Sequence, residues 1–218
     1  MRPGAHDLRR GSFGRLRLFR RGSQHGTTGH RSLPLLVPQN DTWTDTIAAY
    51  FGQSVQAVTR YATRKDTVFD RKSLQAYARS LSNSYTIRII CKRLYNLCLE
   101  NSWSRDMVSQ YPTWEDYQAS GLGCAVLQGN SLVAGTSSYA SFDGGIEIEI
   151  DTHPDFRRRE LARTCGAALI LECLDRGLYP SWDAQNPFSL ALAEQLGYTF
   201  SHTYRTFVRC SPEGELAL

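Results

Sequence analysis

The spacing of apolar residues along the chain changes character near residue 120. Before that point, stretches with apolar positions every three or four residues, typical of amphipathic helices, alternate with short apolar runs typical of strands. This part of the pattern predicts strands over 32–38 and 85–90 and helices over 41–52, 70–81, 92–101 and 113–121. The last helix carries start and stop signals, because Thr113 stands three residues before Asp116, as in a capping box, and Gly121 follows the helix.

After residue 120, three apolar-rich runs separated by tight turns predict an antiparallel meander. The faces of its third strand are Ile146, Ile148 and Ile150 on one side and Glu147, Glu149 and Asp151 on the other. The predicted elements are strands over 122–128, 131–141, 145–151, 178–184 and 198–210 and helices over 161–177 and 186–197. This β-β-β-α-β-α-β order predicts an α/β (α+β) fold with a mixed, mostly antiparallel central sheet flanked by helices.

Composition indicates a globular protein. Hydrophobic residues make up 41% of the 218 positions and aromatic residues 11%, which suits one domain or one domain with a small companion. No apolar run approaches the ~20 residues of a membrane helix. The N-terminus also lacks the apolar core of a secretory signal. We therefore expect a soluble, cytoplasmic protein without a membrane partner.

The six cysteines argue against metal binding and against disulfides. None forms a C-x-x-C pair, and no cysteine–histidine spacing suggests zinc. Most of them stand among apolar residues, where a free thiol behaves as a small hydrophobe. A reducing compartment fits this usage best, and no metal site is expected.

The excess of positive charge is confined to residues 1–32. Eight arginines against one acid give this segment a charge of +7, so the rest of the chain carries −3 of the total of +4. The segment is rich in Gly, Ser and Arg and has little periodicity, which predicts a disordered arm. Its alternatives are binding of nucleic acid or anionic lipid by charge, a transit-peptide role, or no dedicated partner.

The predicted elements and the charge distribution divide the chain into four parts. Residues 1–32 form the basic arm, 33–120 an N-terminal α/β subdomain, 121–210 the meander with the helices and strands that follow it, and 211–218 a tail.

The segment "PDFRRREL" at 154–161 places three arginines between a predicted strand and a predicted helix. A helix N-terminus presents unpaired N–H groups and about +0.5 of an elementary charge, so phosphate binds there readily. Arg157, Arg158 and Arg159 add charge-assisted donors at the same place. The segment therefore predicts a pyrophosphate site, and the alternative is a solvated basic helix cap.

The stretches "EIDTHPDFRRRELARTCGAALIL" and "YPSWDAQNPFSLALAEQLGY", with the preceding meander, resemble the GCN5-related N-acetyltransferases. More narrowly, residues 33–209 resemble the acetyltransferases grouped with the zwittermicin-resistance protein. That family places a segment of pattern (Arg/Gln)-x-x-Gly-x-(Gly/Ala) after its fourth strand to cradle the pyrophosphate of acetyl-CoA, and Arg157 and Ala162 match its ends. The resemblance implies acetyl-CoA as cosubstrate, bound by Ile150, Thr152, Arg157, Arg158, Arg159, Glu160, Leu161, Ala162 and Asn186. It also implies that residues 33–120 cover the acceptor side of the cleft and help to select the substrate.

Glu160 departs from this pattern, because the family has glycine at that position. A carboxylate there would crowd the loop and repel the ligand, since two unit charges ~4 Å apart cost roughly 4 kcal/mol at an effective dielectric of ~20. The three neighbouring arginines are expected to offset much of this by drawing the carboxylate aside. We expect cofactor binding to be weakened, and its complete loss is the alternative.

The resemblance also implies a catalytic base on the fourth strand, whose backbone polarises the thioester. Glu149 is the first candidate, being nearer the phosphate loop, and Glu147 is the second; the alternative is two solvent-facing acids. The tyrosine that many relatives place seven residues after Asn186 is absent. Tyr198 and Tyr204 are therefore the candidate acids, with packing of the sheet as their alternative.

Four further residues are candidates for the site, and all of them except Asp183 have a structural alternative. Asn186 either binds the pantetheine arm of the cofactor or caps a helix that begins at Pro187. Trp182 and Asp183 end a strand where the acceptor cleft is expected, although Trp182 fits the core equally well. His153 is a candidate base or a turn residue.

Three functional hypotheses follow. The first is an acetyl-CoA-dependent N-acetyltransferase for a primary amine of a small molecule, acting by direct transfer without metal; the resemblance suggests an antibiotic-like aminopolyol. The second is a non-catalytic fold whose cofactor site Glu160 has closed. The third is an acetyltransferase that docks on nucleic acid or protein through residues 1–32. Monomer and homodimer are both compatible with the sequence.

Overall fold

The computed structural model describes residues 17–19 and 35–209 of the chain. The helices are α1 (Asp41–Phe51), α2 (Arg71–Arg79), α3 (Lys92–Glu100), α4 (Trp114–Ser120), α5 (Leu161–Asp175) and α6 (Pro187–Gln195). The strands are β1 (Arg17–Phe19), β2 (Leu35–Val37), β3 (Val55–Thr63), β4 (Thr86–Ile89), β5 (Gly123–Gln128), β6 (Ser131–Phe142), β7 (Gly145–Thr152), β8 (Tyr179–Ser181), β9 (Asp183–Ala184) and β10 (Phe200–Arg209). The predicted mixed α/β fold is confirmed.

Two compact units divide the chain. Within the described residues, the first comprises 17–19, 35–58 and 205–209, and the second comprises 59–204. The predicted boundary at 120/121 lies inside the second unit, and the predicted boundaries at 32/33 and 210/211 lie outside the described residues. The functional division stays a prediction.

The first unit is a small antiparallel arrangement with one helix. β1 pairs with β2, and β2 pairs with the end of β10, where Phe207 lies opposite Leu36. A small core is formed by Leu36, Ile47 and Phe207. α1 begins where predicted, because the Asn40 side chain accepts a hydrogen bond from the N–H of Trp43 (3.0 Å). β1 falls within the predicted arm; the rest of that arm lies outside the described residues.

The second unit contains a five-stranded sheet in the order β4-β5-β6-β7-β8. The predicted meander β5-β6-β7 is confirmed as antiparallel, and β8 joins it in parallel to β7. Both faces of the sheet are covered, so successive residues of β5 are buried. Cys124 and Val126 pack in the core that contains α5, whereas Ala125 and Leu127 pack in the core that contains α3.

Local signals place the helices of the second unit. The capping box of α4 is complete, since Thr113 Oγ1 accepts from the N–H of Asp116 (3.1 Å) and the Asp116 carboxylate accepts from the N–H of Thr113 (3.1 Å). α5 buries Leu161, and its chain reverses at Gly177, which has a φ of 68°. Among the described residues, no helix is both long enough and apolar enough to cross a membrane.

The predicted strand over 178–184 is wrong in one respect, because it is two strands. β8 pairs in parallel with β7 as far as Glu147 and Ser181, whereas β9 pairs antiparallel with β3 through Ala62 and Asp183. The chain changes partner at Trp182. β3 itself is missing from the sequence prediction, because its burial does not follow a two-residue alternation.

Candidate active site

The segment that links β7 to α5 has an unusual backbone. β7 ends at Thr152, a short 3₁₀ turn covers Pro154–Phe156, and α5 begins at Leu161. Between them, Arg158 and Glu160 have φ values of 60° and 62°. This left-handed region is costly for a residue with a Cβ and free for glycine. The position where the family pattern has glycine is therefore one where the chain needs glycine-like geometry.

Glu160 is the N-cap residue of α5, the position from which a side chain can accept hydrogen bonds from the first N–H groups of a helix. Its side chain makes no capping hydrogen bond. The carboxylate instead forms an ion pair with Arg163, one turn along the helix, at 2.6 Å from Oε2 to Nη2. The sequence predicted that the three preceding arginines draw the Glu160 carboxylate aside. The carboxylate is drawn aside, but by Arg163 rather than by those arginines. Arg163 does so because residues three apart share one face of a helix.

Two of the three arginines of the loop hydrogen-bond its backbone. Arg157 Nε donates to the carbonyl of Thr152 (3.4 Å), and Arg159 Nη2 donates to the carbonyl of Asp155 (3.0 Å). The guanidinium of Arg159 also lies 4.9 Å from the ring centre of Phe156. These contacts hold the loop in shape. Arg157, Arg158 and Arg159 are all exposed, as is Glu160, while Leu161 is buried and Ala162 is half-buried.

β7 and β8 diverge beside this loop. Their pairing ends at Glu147 and Ser181, and the chain then turns at Trp182 to pair with β3. Ile150 and Thr152 lie on the part of β7 beyond that last pair, and both are half-buried. Beyond Glu147 and Ser181, β7 therefore continues to Thr152 without pairing to the chain that follows β8.

The first charged group at the divergence is Glu147. Lys65 Nζ donates to Ser181 Oγ (2.6 Å), and Ser181 is paired with Glu147 across β7 and β8. Burial raises the pKa of Glu147 above its usual value, and nearby Asp183 raises it further. Ser181, Lys65 and Arg60 lower that pKa but do not cancel the rise.

The second charged group is the carboxylate of Asp183. Arg60 Nε donates to its Oδ2 (3.2 Å), Arg60 Nη2 donates to its backbone carbonyl (3.0 Å), and the Tyr204 hydroxyl donates to the same Oδ2. The other oxygen, Oδ1, is buried and has no hydrogen-bond partner among the described residues. Burial raises the pKa of Tyr204, and Asp183 raises it further. An oxygen in this condition is suited to accept from a donor that enters the site.

Two aromatic candidates lie in the core. The Tyr198 hydroxyl donates to the carbonyl of Pro180 (2.6 Å), and only 3% of the residue is exposed. Trp182 is buried as well, and its Nε1 donates to Ser189 Oγ (3.2 Å). Tyr198 is thereby bonded to β8, and Trp182, the residue after β8, is bonded to α6. Both side chains pack in the core, which is the structural alternative predicted for each of them.

The remaining candidates have local partners. Asn186 Oδ1 accepts from the N–H of Ser189 (2.9 Å), so Asn186 caps α6, and Pro187 is its first residue. His153 lies between the rings of Trp103 and Phe156, each 5.6 Å away. Glu149 is half-buried, and its carbonyl accepts from Thr136 Oγ1 (3.1 Å). Residues 17–19 and 35–209 contain no group of three or more His, Cys, Asp or Glu side chains arranged for a metal ion.

Four residues of this region were missed by the sequence analysis. Arg60, Lys65 and Ser181 belong to the charged groups, and Arg163 holds Glu160. Arg60 lies on the strand that was not predicted. The β-branched and aromatic residues of "VQAVTRYAT" were the signal for that strand.

Comparison with known proteins places this arrangement in a family. A profile of the GNAT acetyltransferase family matches residues 17–207. The solved GCN5-related N-acetyltransferase-like protein from Streptococcus suis 89/1591 is similar at 48% identity and a TM-score of 0.78, over 80% of this chain and 70% of that one.

Two further proteins are similar at lower identity. A putative GNAT-family acetyltransferase from Novosphingobium aromaticivorans DSM 12444 is 14% identical, with a TM-score of 0.52 over 72% of this chain and 69% of that one. The uncharacterized N-acetyltransferase YdfB of Bacillus subtilis (strain 168) is 25% identical over 168 residues, which are 75% of this chain. The match spans 61% of the length of YdfB. Because the family profile covers most of the sequence, the chain belongs to the GNAT acetyltransferase family.

Proposed function

We propose that this protein transfers the acetyl group of acetyl-CoA to a primary amine of a small molecule. The observation that carries the proposal is the loop between β7 and α5, with left-handed backbone at Arg158 and Glu160 and no side chain capping the helix. A loop of this shape exposes backbone N–H groups at the positive end of a 15-residue helix. It is suited to a pyrophosphate.

The residues present fit that cofactor. The uncapped first turn of α5 offers N–H donors, and the small side chain of Ala162 leaves them accessible. Arg157 and Arg159 keep exposed guanidinium groups beside the turn. The pantetheine arm would lie along the part of β7 beyond its last pair with β8, beside the backbone of Ile150 and Thr152. The carbonyl oxygen of Asn186 caps α6, so only its amide NH₂ group would remain to donate to that arm.

Acetyl-CoA supplies an activated thioester, so the protein has to orient the acceptor amine and remove its proton. Glu147 is the better base on geometric grounds, since it lies at the last pair of β7 and β8 beside Ser181 and Lys65. Its raised pKa brings a carboxylate closer to the range useful for proton transfer. Glu149, on the same face of the strand, is the second candidate.

Asp183 is the group that we propose to bind the acceptor. Its buried Oδ1 accepts from a donor such as an ammonium or a hydroxyl group, while Arg60 and Tyr204 fix Oδ2. A cationic or hydroxylated amine therefore suits the site better than an apolar one. An antibiotic-like aminopolyol, as in the zwittermicin-resistance group, has this chemistry. We also place the protein in the cytoplasm, which agrees with the free thiols of Cys98, Cys124, Cys165 and Cys173.

The test is acetyl-CoA binding by calorimetry, on the natural chain and on Glu160→Gly. We expect both to bind, and the glycine variant to bind more tightly. Binding by the glycine variant alone would make this chain a non-catalytic member of the fold. No binding by either would contradict the proposal.

If both proteins bind acetyl-CoA, each is then assayed with a panel of polar primary amines. Transfer of the acetyl group to one of these amines should release CoA with a free thiol. Glu147→Gln is then expected to lower kcat/KM by about 10²–10⁴, the usual contribution of a general base. Glu149→Gln is the matched control on the same face of β7. A larger loss in Glu149→Gln would assign the base to Glu149.

A further inference from the structure

Glu160 is unfavourable to an anionic ligand in the loop between β7 and α5, where we propose that phosphate binds. Its carboxylate is 61% exposed and lies at the N-cap of α5, next to the N–H groups that a phosphate would use. A carboxylate at this position has two ways to interfere. It can accept a hydrogen bond from those N–H groups, as capping acids do, and it repels an anionic ligand.

Arg163 removes both interferences by binding the carboxylate on the helix flank. The Nη2–Oε2 distance of 2.6 Å is that of a strong charge-assisted bond. Arg163 is itself held in place, because 27% of its side chain is exposed and its guanidinium carbon lies 4.7 Å from the ring centre of Tyr77 on α2. Its Nε is buried and has no hydrogen-bond partner among the described residues. An arginine kept in this state costs energy, which its partners must offset.

We propose that Arg163 is a positioning residue that keeps the Glu160 carboxylate away from the phosphate-binding end of α5, and that Tyr77 orients it. This rests on the proposed function, because it describes how the cofactor site remains usable despite a carboxylate in place of glycine. The ion pair also leaves Arg157, Arg158 and Arg159 free of the Glu160 carboxylate, since Arg163 balances its charge.

The experiment measures acetyl-CoA binding by calorimetry in four proteins: the natural chain, Arg163→Met, Glu160→Gly, and the double variant. Methionine keeps an unbranched side chain against Tyr77 but removes the charge. Arg163→Met is expected to raise the Kd at least tenfold, which is about 1.4 kcal/mol. The double variant should bind within about threefold of Glu160→Gly, since without the carboxylate Arg163 has nothing to restrain.

Two controls separate positioning from other roles. Arg176→Met is the matched change at the other end of α5, where Arg176 pairs with Glu172 at 2.6 Å, and it should leave the Kd unchanged. Glu160→Gln removes the charge without touching Arg163, so it should bind at least as tightly as the natural chain. That variant also tests the proposal if Arg163→Met does not fold.

Several outcomes would overturn the proposal. An unchanged Kd in Arg163→Met means that Glu160 needs no restraint. A double variant as weak as Arg163→Met means that Arg163 contacts the ligand directly. Weaker binding in Glu160→Gln means that the carboxylate contributes to the site. Binding by none of the proteins, Glu160→Gly included, would remove the proposed function together with this inference, whereas the first three outcomes leave that function standing.

Discussion

Glu147 and Ser181 face each other at the last pair of residues that joins β7 to β8. The Ser181 hydroxyl also accepts a hydrogen bond from Lys65, so an acid and a cation meet at one serine (2.6 Å from Nζ to Oγ). One residue later the chain leaves the sheet at Trp182. Glu147 therefore stands where the pairing of the two strands ends, which is where the proposed function brings an acceptor amine to the thioester.

The raised pKa of Glu147 predicts a pH-dependent gain of stability in Glu147→Gln. A carboxyl group whose folded pKa exceeds its ordinary value of 4.5 contributes stability that is complete below about pH 4.5. That contribution is lost as the pH rises through the raised pKa. Glutamine has no charge to desolvate, so the variant should match the natural chain near pH 4 and unfold at higher urea concentration at pH 8.

The control for this prediction is Glu194→Gln, on the exposed side of α6. Its urea midpoint should follow that of the natural chain at both pH values. An equal gain at pH 8 in both variants would contradict the assignment to Glu147, because it would reflect net charge instead. The groups that face Glu147, namely Ser181, Lys65, Asp183 and Arg60, remain unchanged in both variants.

Tyr198→Phe should weaken the fold without abolishing catalysis. The lost hydroxyl leaves the buried carbonyl of Pro180 without its donor, which costs about 1–3 kcal/mol of unfolding free energy. Urea unfolding measures the loss. The rate of acetyl transfer per folded molecule should remain within a few-fold of that of the natural chain. A loss of two orders of magnitude at normal stability would instead identify Tyr198 as the general acid.

Arg60→Met should destabilise the protein strongly, since Asp183 then keeps a largely buried charge without its cation. The two side chains are only 19% and 21% exposed, and removal of one partner of such a pair costs about 3 kcal/mol. Arg64→Met is the matched control four residues away, because Arg64 and Asp66 are 57% and 67% exposed. That variant should unfold at nearly the same urea concentration as the natural chain, because an exposed pair contributes little to stability. Equal losses in urea unfolding would contradict the burial argument.

Glu160→Gly should stabilise the protein in the absence of any ligand. The left-handed φ of 62° costs a residue with a Cβ about 1–2 kcal/mol, and the exposed ion pair with Arg163 returns only about 0.5 kcal/mol. The free energy of unfolding should therefore rise by about 1 kcal/mol in urea titrations. A fall would mean that the pair with Arg163 outweighs the backbone strain.

The sequence by itself determined the elements whose signals are local. The capping box at Thr113 and Asp116, the alternation of isoleucines and acids in β7, and the apolar helix α5 each depend on neighbours a few residues apart. The arginine segment could likewise be located between a strand and a helix. These predictions hold because hydrogen bonding and side-chain direction within an element follow its own periodicity.

Only the tertiary structure decided which charges meet at the divergence of β7 and β8. Lys65 and Ser181 are 116 residues apart in the chain, and Arg60 and Asp183 are 123 apart, so no local pattern connects them. The change of partner at Trp182 has the same origin, because pairing of β9 with β3 joins two segments that are far apart in the sequence. The partner of Glu160 was decided by helix geometry together with the ring of Tyr77, which a distant segment brings to α5. The sequence shows which charged groups are present, but the fold decides which of them are buried together. Because an unpaired buried charge is costly, these groups are paired in the folded chain.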